Sequence, residues 1–184
     1  METGANAAPV FLLYTQFMTS ILTNTADLDT KWARPVLKNI LTKGMKAVIL
    51  AASDFEDVCD QTTWLRSYGP GGMWNQAYEG GLRAYGITDI TWLSPFRDDR
   101  NTMIKALKQA DLIVLPGGAP DRFMKQIRKF GLKKVLKAHT GIFLGISAGA
   151  MILLDDYHIS PDEDYAGFSW HKGLGLYDFD VEMH

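Results

Sequence analysis

The sequence predicts one α/β domain: a three-layer α/β/α sandwich built on a mostly parallel sheet. Three observations carry that prediction. The chain has 184 residues, enough for one well-buried domain and short for two. Several short runs are apolar at nearly every position, as strands covered on both faces must be. Stretches with helical spacing separate these runs, and strand–helix–strand alternation implies right-handed crossovers.

The elements follow in chain order. Residues 1–8 read as an unstructured leader, because Met1-Glu2-Thr3-Gly4-Ala5 lacks the basic start and apolar core of a signal peptide. Val10–Tyr14, Ala47–Ala51, Ile90–Leu93, Leu112–Leu115 and Ile142–Ile146 are the expected buried strands. Lys31–Leu41 spaces Trp32, Val36, Ile40 and Leu41 as a helix would, and Arg100–Ala110 does the same with Met103, Ile104 and Leu107. Phe123–Phe130 and Lys133–His139 are shorter helical candidates. Gly69-Pro70-Gly71-Gly72 must interrupt any helix, so a loop is expected there and a helix from Met73 to Tyr85. Trp64, Tyr68, Trp74 and Tyr78 flank that break. They are read as a cover for the sheet, with a flap over a pocket or a subunit contact as the alternative. Leu174–Met183 alternates apolar and polar residues as a strand does, and would carry His184 to a sheet end.

Composition excludes several function classes. The formal net charge is −2, which gives a nucleic acid or an anionic membrane nothing to bind. The basic run Lys125–Lys137 reads as the solvated face of helices. One cysteine, Cys59, can form neither an internal disulfide nor a cysteine metal site. No run approaches the roughly 20 apolar residues of a membrane span. The expected location is cytoplasmic, with no metal and no cofactor, and possible homo-oligomers through the aromatics of Trp64–Tyr78.

The chemistry centres on Gly145-Ile146-Ser147-Ala148-Gly149-Ala150. A buried strand enters this segment and a short helix is expected to leave it. A serine on such a turn projects its hydroxyl past the strand's carboxyl end, and its small neighbours tolerate the strained backbone. Ser147 is therefore the candidate nucleophile, and the Ala148 N–H points where an oxyanion would form. The second signal is Pro116-Gly117-Gly118-Ala119, directly after the Leu112–Leu115 strand. Paired glycines let backbone approach a ligand, and in doubly wound sheets ligands bind at this edge. Gly118 N–H is the candidate second oxyanion donor, and Gly117 is a candidate substrate contact. A serine needs a base, and four histidines are available: His139, His158, His171 and His184. Chemistry alone leaves His158 and His184 open.

Pro116-Gly117-Gly118, Gly145-Ile146-Ser147-Ala148-Gly149-Ala150 and Gly173-Leu174-Gly175-Leu176 leading to His184 together resemble the dipeptidase E and cyanophycinase family. These are serine peptidases on the class I glutamine-amidotransferase-like (flavodoxin-like) fold. The resemblance runs from about Lys46 to His184. It implies a triad with Ser147 as nucleophile and His184, 37 residues on, as base. The acid falls in Asp162-Glu163-Asp164: Asp162 fits best by distance from the serine, with Glu163 and Asp164 as alternatives. Its role is to hold the imidazole's tautomer. The implied substrates are small peptides of the Asp-X kind, opened through an acyl-enzyme. Two departures stand out. Ala119, at the position the resemblance implies as a substrate contact, stands where the family often has Asn, so only its backbone matches the family there. Family members also continue past their histidine, so the expectation is that this sequence is incomplete at its C-terminus.

Three rival readings remain. An α/β-hydrolase esterase shares G-x-S-x-G but places its acid and histidine on later strands. A glutamine amidotransferase needs a cysteine nucleophile, and Cys59 lies in the acidic run Glu56-Asp57-Val58-Cys59-Asp60, which disfavours a thiolate. A non-catalytic relative would keep the turn and lose turnover.

Overall fold

The computed structural model describes residues 10–14, 18–55 and 57–181. Six strands form the main sheet: β1 (Val10–Tyr14), β2 (Thr19–Thr23), β3 (Lys46–Leu50), β4 (Asp89–Leu93), β5 (Leu112–Leu115) and β6 (Ile142–Ile146). Their order is β1-β2-β6-β5-β3-β4. Every pair is parallel except β1–β2, which is antiparallel. The expected sandwich is thus the observed fold.

Strand alternation makes the layers. In β5, Leu112 and Val114 join a core with Trp64, Tyr68, Tyr78 and Leu82. Ile113 and Leu115 join the opposite core with Met103, Leu107, Phe123 and Ile127. The period of 2 thus sends neighbouring residues into different layers. The first layer holds α1 (Arg34–Leu37), α2 (Gln61–Tyr68) and α3 (Met73–Arg83). The second holds α4 (Arg100–Gln109), α5 (Pro120–Lys129), α6 (Lys133–Lys137) and α7 (Ala148–Met151). No helix among the described residues is long and apolar enough to cross a membrane.

Several local expectations change. The Lys31–Leu41 helix is a single regular turn, α1, flanked by bends. Its buried line is Ala33, Leu37 and Leu41, while Val36 is exposed. Pro35 explains the brevity, since it belongs to the first turn and cannot donate further in. Strand β1 is a half-exposed antiparallel edge rather than a buried parallel strand. Two elements that precede the serine turn lacked a sequence signal. Strand β2 carries polar residues in the core, but Ser20 Oγ accepts from the Tyr177 hydroxyl at 2.8 Å and Thr23 Oγ1 donates to Thr25 O at 2.6 Å. Helix α2 starts on a capping box between Asp60 and Thr63, and ends at the Gly69 break.

The C-terminal region differs most. A separate hairpin, β7 (Asp156–Ile159) with β8 (Ser169–Lys172), follows α7. Residues 174–181 form no strand. Their N–H groups instead go to the turn after α7: Leu174 to Ile152 O, Gly175 to Leu154 O and Leu176 to Leu153 O. The alternation there reflects half-burial against that turn. The leader at 1–8 and His184 lie outside the described residues.

Candidate active site

Parallel pairing places the carboxyl ends of β3, β5 and β6 at one edge, and the site is built there. Strand β6 delivers Ser147 with φ 47° and ψ −115°, the one positive-φ residue other than glycine among the described residues. Such a conformation costs on the order of 1–3 kcal/mol and persists only where surroundings impose it. Here the Ser147 N–H donates to Thr23 O at 2.8 Å, while its carbonyl accepts from Ala150 and Met151. The turn is therefore tied to β2 on one side and α7 on the other. Gly149 lets α7 lie against the sheet, since a Cβ there would stand 1.9 Å from Leu115 O. Ser147 occupies the N-cap position of α7, where a serine usually accepts from the helix backbone. It makes no such bond, so its Oγ remains available. Ala148 is buried directly behind it as the first helical residue, and its N–H has no partner among the described residues.

The β5–α5 loop faces this turn. A Cβ on Gly117 would lie 3.3 Å from Ser147 Cβ and 3.9 Å from its Oγ. Three consecutive N–H groups in this loop have different fates. Gly117 donates to the Tyr78 hydroxyl at 3.1 Å, and Ala119 donates to Ser53 O at 2.7 Å. Gly118 N–H has no acceptor among the described residues. Gly118 has φ 129°, and a Cβ there would meet Ser53 O at 2.2 Å, so only glycine fits. Ser53 Oγ also donates to Gly117 O at 2.6 Å. Ala119, expected as a substrate contact, is instead fully buried beneath the loop with its N–H engaged.

A cavity of about 880 Å³ opens on Ser147, Gly117 and Gly118. Tyr68, Trp74 and Tyr78 form an aromatic wall, and Asp27, Asp29, Asp54 and Asp57 are the ionisable carboxylates that line it. Burial pushes the Asp54 carboxyl up to about 6; Asp57 adds to the rise, while the Tyr68 hydroxyl and Arg122 oppose it. Asp54 Oδ1 is buried without a hydrogen-bond partner among the described residues. Burial likewise pushes the Tyr78 hydroxyl up to about 12, so it stays protonated at neutral pH. Of the four aromatics flanking the glycine break, Trp64, Tyr68 and Tyr78 are buried. They cover the sheet, and two of them also line the cavity. Trp74 alone of the four is exposed, at 40%, so little of the aromatic surface expected for self-association is left.

The histidines are placed as follows. His139 precedes β6 and packs edge-on against Phe143, at the end of the strand away from Ser147. Five strand residues span roughly 16 Å, which puts it out of reach. His171 stacks on Tyr157 and shares a 2.7 Å hydrogen bond with Ser169 Oγ. His158 is buried in β7 between Phe168 and Trp170, with Nδ1 3.1 Å from the Asp180 carboxylate. The candidate acids sit in the β7–β8 loop, all exposed. Asp162 Oδ1 accepts from the N–H groups of Asp164 and Tyr165 at 2.8 Å each, which shapes that loop. No group of three or more candidate metal ligands occurs among the described residues.

Sequence reasoning missed Ser53 and Asp54, and it read Tyr78 as a sheet cover or pocket flap without its bond to the glycine loop. Ser53 and Asp54 lie just beyond the carboxyl end of β3, at the edge where ligands bind in such sheets, and that signal could have singled them out. Tyr78 carried no local signal beyond its place after the glycine break.

Similarity to known proteins points the same way. The model of peptidase family S51 matches residues 74–184. No curated protein matches the chain. Solved structures that share the fold include two peptidases. One is a peptidase E-type protein of Listeria monocytogenes EGD-e: 17% identity, TM-score 0.62, covering 94% of this chain and 77% of that one. The other is a peptidase from an acI-B1 Actinobacterium: 18% identity, TM-score 0.58, covering 84% of this chain and 63% of that one.

Proposed function

The chain belongs to peptidase family S51, a family of serine hydrolases, and on that premise we propose that it cleaves small peptides through an acyl-enzyme formed on Ser147. One observation carries this reading: a serine at positive φ whose hydroxyl makes no helix-cap bond faces the β5–α5 loop at Gly117, and in that loop the Gly118 N–H has no acceptor among the described residues.

In the proposed reaction, Ser147 Oγ attacks the scissile carbonyl and forms a tetrahedral intermediate. Gly118 and Ala148 N–H groups receive the developing oxyanion. The base takes the serine proton and passes it to the leaving amine; water then attacks the ester by the same route in reverse. His184 is the proposed base and Asp162 the proposed orienting acid, both on the family resemblance, with Glu163 and Asp164 as alternatives. Gly117 borders the substrate. The 880 Å³ cavity suits a ligand of a few residues.

The narrower form of this reading is an Asp-X preference. An aspartyl side chain needs a positive partner, whereas the described cavity lining carries four aspartates. The narrower form therefore lodges that side chain away from the Asp54 wall. The test is a panel of Asp-X, Ala-X and Lys-X dipeptides given to the protein and to Ser147→Ala. Turnover of at least one, abolished by the substitution, is expected. Equal turnover by both proteins would remove Ser147 from the mechanism.

A further inference from the structure

The β5–α5 loop is held by three hydrogen bonds from two residues outside the motif, two of them through side chains and one through the Ser53 backbone carbonyl. Tyr78 takes the Gly117 N–H at 3.1 Å. Ser53 accepts the Ala119 N–H at 2.7 Å through its carbonyl, and donates its Oγ to Gly117 O at 2.6 Å. The Ser53 carbonyl also abuts Gly118 so closely that no Cβ fits. These contacts occupy the N–H groups on either side of Gly118 and leave that of Gly118 alone. We infer that Tyr78 and Ser53 are positioning residues that clamp the loop so that Gly118, and not Gly117, supplies the oxyanion donor. This inference rests on the Ser147 reading above.

The clamp has a further consequence, because Tyr78 is part of the cavity wall. Its ring borders the space a substrate fills, next to Trp74 at 6.1 Å between ring centres, and its hydroxyl holds the donor loop. A substrate side chain packed on that ring bears on the residue that sets the donor. Binding in the aromatic part of the cavity thereby steadies the N–H that the transition state needs. Such coupling lets remote binding act on the rate rather than on affinity alone. The hydroxyl suits this role because it stays protonated at neutral pH, and as an acceptor it draws the Gly117 N–H away from the oxyanion position.

The experiment compares kcat and KM for Tyr78→Phe, Ser53→Ala and Trp74→Ala with the native protein on one peptide substrate. Active-site labelling of Ser147 by a fluorophosphonate is measured in parallel. Tyr78→Phe keeps the ring and removes only the acceptor; it should lower kcat roughly 10- to 100-fold, the scale of a small misplacement of a catalytic group, with KM within about twofold. Ser53→Ala should act in the same direction. Trp74→Ala removes wall without touching the loop, so KM should rise while kcat falls less. Thermal melting of each variant shows whether it is folded, and Tyr78→Phe alone suffices if Ser53→Ala is not. Native kcat in folded Tyr78→Phe would overturn the clamp while leaving Ser147 as nucleophile. An equal rise in KM with kcat intact would also overturn it, since that reports only substrate contact. A native protein that neither turns over peptide nor labels at Ser147 would instead defeat the reading on which the clamp rests.

Discussion

The two ends of the sheet carry cavities of similar size and different character. At the carboxyl end, about 880 Å³ opens on Ser147 and the Gly117–Gly118 loop. At the amino end, about 790 Å³ opens between α4 and α6, beside Arg100, Lys108, Lys134 and His139. The amino end has closed backbone bonding: Asp111 N–H reaches Lys46 O, Ile142 N–H reaches Asp111 O, and Lys46 N–H reaches the Asp111 carboxylate. The carboxyl end has strained backbone at Ser147, a glycine-only conformation at Gly118, and two N–H groups without acceptors among the described residues. Volume alone therefore does not distinguish the ends. What does is unengaged hydrogen-bonding capacity at the end that carries the proposed nucleophile, and that capacity is what a transition state can use.

The largest effect that could break this contrast is chemical. Ser147→Ala should lower peptide turnover by at least about 10³-fold, because loss of a serine nucleophile removes the covalent route. It should melt near the native temperature or above it, since alanine has no hydroxyl at stake in the turn. Residual turnover near native, measured on purified protein, would place the chemistry elsewhere.

Next comes Gly118→Ala. The added Cβ meets Ser53 O, at a φ that L residues rarely adopt. A stability loss on the order of 3 kcal/mol is expected from strain and clash together. Denaturant unfolding measures it. The same change at Gly44, whose φ is also positive but which has open space around it, should cost less. Equal losses would mean that the loop is not tightly held.

A smaller effect concerns pH. Folded Asp54 keeps its proton up to about pH 6, above the 3.8 of an unperturbed aspartate. Between those values the folded state binds more protons than the unfolded one. The contribution from this group is thus full below about pH 4 and is lost as pH rises through 6. Its size is on the order of 2 kcal/mol after allowing for partial solvent screening. Asp54→Asn should flatten that slope in unfolding curves taken from pH 4 to 7. An unchanged slope would assign the pH dependence to other groups.

The smallest expected effect sharpens the contrast from the other side. Lys108→Ala and Lys134→Ala alter the amino-end cavity only, and both side chains are exposed. Each should leave kcat/KM within about twofold and stability within roughly 0.5 kcal/mol. A tenfold loss of turnover from either would couple the two ends and remove the distinction.

The parallel strands were legible because burial on both faces leaves nearly unbroken apolar runs. Leu112–Leu115 and Ile142–Ile146 appear with their expected bounds. The serine turn was legible because small residues must flank it. Strand β2 was not, since Ser20 and Thr23 satisfy their hydroxyls through partners distant in sequence or in the next turn. The Leu174–Met183 alternation misled for a related reason: half-burial against any surface produces it, and here the surface is a helical turn. The clamp contacts of Ser53 and Tyr78 were not legible because they are tertiary, although strand-end position marks Ser53 and the glycine break marks Tyr78. Gly117 lies 64 residues from Ser53 and 39 from Tyr78, and no local pattern spans such distances.

If Ser147 is an activated nucleophile, it must react with an electrophile built for such serines. The protein is treated with a fluorophosphonate, digested, and the modified peptide sequenced by mass spectrometry. One adduct is expected, on Ser147, formed far faster than on any other hydroxyl and absent from Ser147→Ala. No adduct, or an adduct on another serine at the same rate in both proteins, would contradict the assignment.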